Sequence, residues 1–556
     1  MFNKNIRAID NIALQRRLSR ITPEESRIGI SYCVTPSNDY VLLKDDIATD
    51  DLQNPREAIK KVLKENVKND MKPNDIIINF GLGLGYLLDE TFNNYPSRIY
   101  IYEPDINLMH FVLSNVDISE HLESGRVFIT NDLDELVHKL TTTFLTKDKV
   151  EIVYLPNYAL TKNKELLMLT QKVFDACKSK MVDVNTITKF SQRWLLNTIE
   201  NIAYLNNNDG YLLSSLNNKF TGKTAMIIAA GPSLNENIEK LQANRNKFVI
   251  FAVNKVVNHL LQNGITPDFI VCLDAGNMDA TLGGTNPLYE KINCIMDVRS
   301  DNALTTKNFK KLFYTFSTTD FFAQKLAKYN NSIELAEFGG SATTLALYSA
   351  VKMGFSKIVL AGVDLAFKDN VIYSNGETMN RISQEQIIVD NVAKNIVQVK
   401  SVNGNMVYTR EDYQTAIHHF ETLIKELNHK EIYNLSTFGA HIEGTINSSF
   451  DEIHMPEISS LHELDYIKPF KLELKDFIQE EFFHINNVIT LLSKGSFSPS
   501  LVSTIVKSVL LYQYLQAEIL TILQKNFAQE LAEPFIDNTK KAIKTVVERL
   551  QANKLI

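Results

Sequence analysis

The stretch Met226-Ile227-Ile228-Ala229-Ala230-Gly231-Pro232-Ser233-Leu234-Asn235-Glu236-Asn237 passes from an apolar run, through a glycine and a proline, into polar residues. It predicts a buried strand, a tight loop and a helix opening at Asn235-Glu236-Asn237. Such a loop turns backbone N–H groups, a hydroxyl and the positive end of a helix dipole toward one point, an arrangement that suits a phosphate or diphosphate. Gly231 and Ser233 are the expected contacts. The bland alternative is that Ser233 only caps the helix.

Downstream, Phe248–Val253, Phe269–Leu273 and Lys357–Ala361 are strand-like and separated by helical stretches, the grammar of an open parallel sheet. Each ends in small or polar residues: Asn254-Lys255, Asp274-Ala275-Gly276-Asn277 and Gly362-Val363-Asp364. Turn chemistry explains any one of these loops. Four at the carboxyl edge of one sheet, where such folds bind ligands, mark a site.

Upstream, Ile76–Phe80 leads into Gly81-Leu82-Gly83-Leu84-Gly85, and the strand Ile99–Tyr102 ends in Glu103. With Val127–Ile129 and Ile152–Leu155 these form a first α/β domain of Rossmann-like pattern. Its glycines and Glu103 are the parts of a nucleotide site, such as that of a methyltransferase using S-adenosylmethionine. A tight strand-to-helix turn needs the same glycines for its backbone angles. The expectation is that this domain binds no S-adenosylmethionine. The segment to about Asp70 reads as a small helical or mixed lead-in, and 157–211 as largely helical, with Ile187, Phe190, Trp194, Leu195 and Ile199 on one stripe. After Asp451 strand signals stop, and Leu501–Leu523 reads as a buried helix of a bundle. The expected fold class is multidomain α/β: an N-terminal Rossmann-like domain with its lead-in and connector (1–195), a central α/β domain (196–450) and a C-terminal helical domain (451–556).

The 556 residues include 44% hydrophobic and 22% charged, ordinary for a packed protein. A formal net charge of -7 argues against a general affinity for nucleic acid. The four cysteines (Cys33, Cys177, Cys272, Cys294) form no C-x-x-C pair, so a reducing compartment fits best. Neither a secretory signal nor a spanning segment is legible, which predicts a cytoplasmic protein without stable membrane insertion. A D-x-D pattern, which can hold a metal ion, is missing from the second α/β domain. Asp132-Leu133-Asp134 lies in the first, at an expected helix start.

Taken in order, Ala230-Gly231-Pro232-Ser233, Phe251–Lys255, Thr266-Pro267-Asp268-Phe269, Gly339-Gly340-Ser341-Ala342-Thr343, Ala361–Leu365 and Tyr373-Ser374-Asn375-Gly376 resemble the catalytic domain of the motility-associated factor (Maf) glycosyltransferases. More distantly they are similar to bacterial sialyltransferases with a modified GT-A fold. The resemblance spans roughly Gly222 to Gly444, and the three-part layout is shared. It implies a cytoplasmic enzyme that moves a nonulosonic acid (pseudaminic, legionaminic or sialic-like) from its CMP donor to Ser or Thr of flagellin, with inversion, in support of flagellum assembly and motility.

The resemblance further implies that Gly231, Pro232 and Ser233 embrace the CMP phosphate and ribose, and that Asn254 binds the nucleotide. Lys255, Asp274, Gly340, Ser341 and Gly362 complete the expected donor-binding set, and Asp364 joins Tyr373 and Tyr408 as expected catalytic residues. Asp274 stands where the sialyltransferases have an amide, which leaves a divalent cation, magnesium or manganese, open. Tyr373 matches one of two tyrosines that stabilise departing CMP, while Ala366 holds the place of the other, so Lys255 or a metal would share that task. No histidine occupies the general-base stretch Val407-Tyr408-Thr409-Arg410, and Tyr408 is the substitute. His418 and His419 read as packing or surface residues. The rival readings are a pterin diphosphokinase-like phosphate-transfer enzyme, the methyltransferase noted above and a non-enzymatic flagellar assembly factor. The C-terminal apolar positions Ile505, Val509, Leu510, Leu515, Ile519 and Ile522 read first as packing, with a groove for flagellin as the alternative.

Overall fold

The computed structural model describes residues 1–145, 148–207, 210–276, 278–367, 396–458, 461–495, 497–525 and 527–556, without the side chains of 178–185 and 524. The expected α/β architecture is present, and the chain forms two compact units, Met1–Ile187 and Thr188–Ile556.

In the first unit, β1 (Ile76–Phe80), β2 (Arg98–Tyr102), β3 (Val127–Thr130) and β4 (Val150–Tyr154) form a parallel sheet in the order β3-β2-β1-β4. All five residues of β1 are buried, as a mostly apolar strand flanked by strands on both sides requires, Asn79 included. Gly81, Gly83 and Gly85 then take φ of +99°, +51° and +88°, so the glycines do serve the turn into α1 (Tyr86–Asn94). The lead-in is mixed: three short helices precede an antiparallel meander of Ile30–Val34, Tyr40–Lys44 and Ile47–Ala48. Asp132 caps the helix Leu133–Thr143 by accepting from the Asp134 and Glu135 N–H groups, so the Asp-x-Asp run is a helix start.

The helix α2 (Asn163–Asn207) ends within the second unit. There β5 (Thr224–Ile228), β6 (Val249–Val253), β7 (Phe269–Cys272), β8 (Asn293–Asp297), β9 (Lys311–Ser317), β10 (Lys357–Ala361) and β11 (Ile432–Asn434) run parallel in the order β9-β8-β7-β6-β5-β10-β11. Short strands at Tyr211–Leu212, Leu335–Ala336 and Ile446–Asn447 extend the sheet. The chain builds outward from β5 to β9, then returns to place β10 on the other side of β5. The switch point therefore falls between β5 and β10.

The helix α3 (Ala342–Lys352) packs across this sheet. Its C-terminal end meets the segment preceding β5 through Asn218 N–H to Lys352 O (2.9 Å) and Phe220 N–H to Met353 O (2.9 Å). Its N-terminus consequently lies at the carboxyl edge of the strands. The C-terminal helices α4 (Lys475–Ser493), α5 (Pro499–Ile505), α6 (Val509–Tyr514), α7 (Gln516–Gln524) and α8 (Ala532–Ala552) share one hydrophobic core with that sheet. Leu501–Leu523 is thus not one helix. Ser508 accepts from the Leu511 N–H and starts a new helix inside the run. Ile505, Val509, Leu510, Leu515, Ile519 and Ile522 are all buried, the packing role rather than an open groove.

Candidate functional site

The loops after β5 and β10 are bolted together at the switch point. Gly231 N–H donates to Gly362 O (2.8 Å), while Ser233 donates to Asp364 from both its N–H (2.8 Å to Oδ2) and its hydroxyl (2.5 Å to Oδ1). Ser436, past β11, donates its hydroxyl to the same Oδ1 (2.5 Å) and accepts the Gly439 N–H (2.9 Å). Asp364 is buried, and that burial pushes its carboxyl up from the usual range, opposed by the bonds from Ser233 and Ser436. Glycine at 231 is a matter of space: a Cβ there would stand 2.4 Å from Asp364 Oδ2 and 2.5 Å from Gly362 O. Gly362 has φ of +67° and no room either, with Ala229 O at 2.4 Å from a Cβ.

This geometry corrects two expectations. Ser233 is wholly buried and spends its hydroxyl on Asp364, so it neither caps a helix nor faces the open edge. Nor does the helix open at Asn235: Pro232–Glu236 is a 3-10 turn, and the α-helix runs over Ile238–Ala243. A longer helix with its N-terminus at this edge is α3, capped by Ser341, whose Oγ accepts the Thr344 N–H (3.1 Å). Gly340 beside it is exposed, with open space around it. Asp364, expected to be catalytic, is a buried clamp between three loops rather than a group at the surface.

Asn254 is buried in the turn after β6 and donates its amide to Asp274 Oδ2 (2.9 Å), which explains the carboxylate at 274: it orients Asn254. Lys255 is exposed on the same turn. Tyr408 is exposed on the hairpin strand Met406–Arg410, paired with Ile396–Lys400. Tyr373 lies outside the described residues. His419 packs its ring against Gly339, nearer the α3 loop than its sequence position indicates. Among the described residues, no group of three or more His, Cys, Asp or Glu side chains is placed to hold a metal ion.

In the first unit, the corresponding crevice between β1 and β4 is filled by the chain itself. A Cβ on Gly81 would stand 2.6 Å from Leu155 and 2.8 Å from Tyr158. Glu103 is fully buried and accepts from Leu82 N–H (3.0 Å), Asp105 N–H (3.1 Å) and the Tyr158 hydroxyl (2.9 Å). A carboxylate so committed is not offered to a ribose.

A solved Maf glycosyltransferase from Magnetospirillum magneticum AMB-1 superposes with a TM-score of 0.67, covering 99% of this chain and 96% of that one at 15% identity. The chain shares its fold with that Maf glycosyltransferase. A family model described as 6-hydroxymethylpterin diphosphokinase MptE-like matches residues 196–370, the part that contains the switch point. Two uncharacterized proteins of Treponema pallidum (strain Nichols) are 29% identical over 114 residues and 24% identical over 201 residues. Those stretches span 51% and 66% of the relatives' lengths and 20% and 35% of this chain. No helix among the described residues is long and apolar enough to cross a membrane.

Proposed function

We propose that this chain is an inverting glycosyltransferase that transfers a nonulosonic acid from its CMP-activated form to Ser or Thr of flagellin in the cytoplasm. The observation that carries the reading is the bolted junction of the Gly231 and Gly362 loops at the sheet's switch point, in a chain whose fold over nearly its full length is that of a Maf glycosyltransferase. In this reading the Gly231-Pro232 turn gives the donor phosphate and ribose a close-fitting surface rather than hydrogen-bond donors, since the Gly231 N–H is spent on Gly362 O and the Ser233 N–H on Asp364, and it is held rigid from behind by Ser233, Asp364 and Ser436. Asn254, oriented by Asp274, contacts the nucleotide, and Lys255 with the α3 N-terminus supplies positive potential at the same edge.

In the reaction the bond between the anomeric carbon and the phosphate oxygen breaks, and its electron pair leaves with CMP. The acceptor hydroxyl attacks the opposite face of the oxocarbenium-like centre and gives up its proton, for which Tyr408 is the candidate base. Tyr373 is assigned to stabilising the departing phosphate. The match to the diphosphokinase model favours one second reading, transfer of diphosphate from ATP to a pterin alcohol at the same edge.

One experiment separates the two. The purified protein is incubated with CMP-nonulosonic acids and flagellin, and in parallel with ATP and 6-hydroxymethyl-dihydropterin. The proposal expects a mass increase on flagellin together with CMP release. AMP and a pterin diphosphate, with unmodified flagellin, would replace it with the second reading, and no product in either arm would leave a non-enzymatic assembly role.

A further inference from the structure

Residues 193, 197 and 201 of α2 lie four apart and share one face of the helix. Two of the three fix that face to the carboxyl edge of the sheet. Asn197 is buried and donates its amide to Ala275 O (2.7 Å) and Arg299 O (3.0 Å), in the loops after β7 and β8. Asn201, also buried, donates to Val298 O and Ser300 O (both 2.8 Å). The third, Arg193, continues the stripe and reaches the loop after β7, which also carries Asp274, the partner of Asn254.

The loop makes room for it. Gly276 does not have the positive φ that would demand glycine, yet a Cβ there would stand 2.3 Å from Arg193 Nη1 and 3.1 Å from Cζ. A Cβ at 276 would push the guanidinium aside, so the glycine leaves Arg193 in its place against the loop. Arg193 is exposed, and no described residue accepts a hydrogen bond or ion pair from it. Arg299, after β8, shows what a structural arginine looks like here: it is held against Asp297 at 2.7 Å and over the Trp194 ring. Arg193 therefore brings a permanent charge and a planar set of donors to the ligand edge with those donors unspent.

We propose that Arg193 reads the carboxylate of the donor sugar, the charge that separates a nonulosonic acid from a neutral hexose. The assignment rests on the donor site proposed above. The Gly231 loop follows β5 and the Arg193 loop follows β7, two strands away, or about 10 Å. That separation places the guanidinium beside the sugar rather than on the phosphate held at β5. A carboxylate suits the guanidinium fork, which binds it through two parallel hydrogen bonds.

The test is calorimetric titration of wild type, Arg193→Gln and Gly276→Ala with CMP, CMP-N-acetylneuraminate and the methyl ester of that sugar nucleotide. Gly276→Ala keeps the charge but displaces it. Both variants are expected to bind CMP within about twofold of wild type and the sugar nucleotide about 10- to 100-fold more weakly. Wild type should lose a similar factor for the ester, and Arg193→Gln should no longer distinguish acid from ester. Equal weakening of CMP and sugar nucleotide, or no change in either, would overturn the role of Arg193 while leaving the donor site standing. A wild-type protein that binds neither ligand would instead overturn the donor site, and this inference with it.

Discussion

Ser233 and Asp364 are joined by two hydrogen bonds, one from the serine N–H and one from its hydroxyl, across 131 residues of chain. The pair makes the Gly231–Ser233 loop part of a clamp whose third member is Ser436. Removing either hydroxyl leaves a buried carboxylate short of a donor. Ser233→Ala and Ser436→Ala are each expected to cost about 1–3 kcal/mol in denaturant unfolding. The double variant should depart from additivity, since both hydroxyls serve one oxygen. Strict additivity would show that the three loops do not act as one clamp.

The first unit is expected to give no heat with S-adenosylmethionine or NAD, because Leu155 and Tyr158 occupy its crevice and Glu103 is bonded on both oxygens. Micromolar binding of either would mean that those side chains move aside.

Asp50 supplies a pH signature. It is buried, its Oδ1 has no hydrogen-bond partner among the described residues, and burial pushes its carboxyl up to about 7. A carboxyl raised in the folded state favours folding below its unfolded value, near 4, and loses that contribution as pH rises toward 7. Asp50→Asn should therefore stabilise the first unit at pH 8 by roughly 2–4 kcal/mol and change little at pH 4, as read by melting at both pH values. An equal effect at the two would show that charge is not the cause.

Glu481 anchors α4. It is fully buried, pairs with Lys325 at 2.6 Å, and accepts from the Ser508 hydroxyl (2.7 Å) and from the Val509 and Leu510 N–H groups. Glu481→Ala strands those buried donors and leaves Lys325 to its second partner, Glu480 at 3.0 Å, and a loss of about 3–5 kcal/mol is expected in urea unfolding. Deletion after Pro456 should be more severe, giving insoluble protein, because the removed helices and the sheet share one core. A soluble truncation that still binds CMP would contradict that shared core.

Where burial was uniform the sequence was easy to read. Lys357–Ala361 is a strand over the expected residues, and β1 lies wholly inside with Asn79 its one polar residue. The strands Asn293–Asp297 and Lys311–Ser317 escaped because Asn293, Asp297 and Thr315 are polar yet buried, which breaks the apolar pattern. In Leu501–Leu523 a largely apolar stretch, interrupted by Lys507 and Glu518, concealed three helices, since all pack into the core and the Ser508 cap marks a break. The edge loops of the site were legible as turn-rich strand ends. What they do to one another was not: the Ser233–Asp364 clamp, the orienting of Asn254 by Asp274 and the approach of Arg193 to Gly276 all join residues far apart in sequence. Spacing along the chain carries no signal of such pairs.

The central claim is that the donor nucleotide sits at the switch point between β5 and β10. Hydrogen–deuterium exchange of the wild-type protein with and without saturating CMP tests it most directly, without a substitution that could disturb folding. Protection is expected at 230–236, 254–256 and 362–365, with 81–86 unchanged. Protection confined to 81–86, or none at the switch-point loops when CMP is bound, would contradict the account.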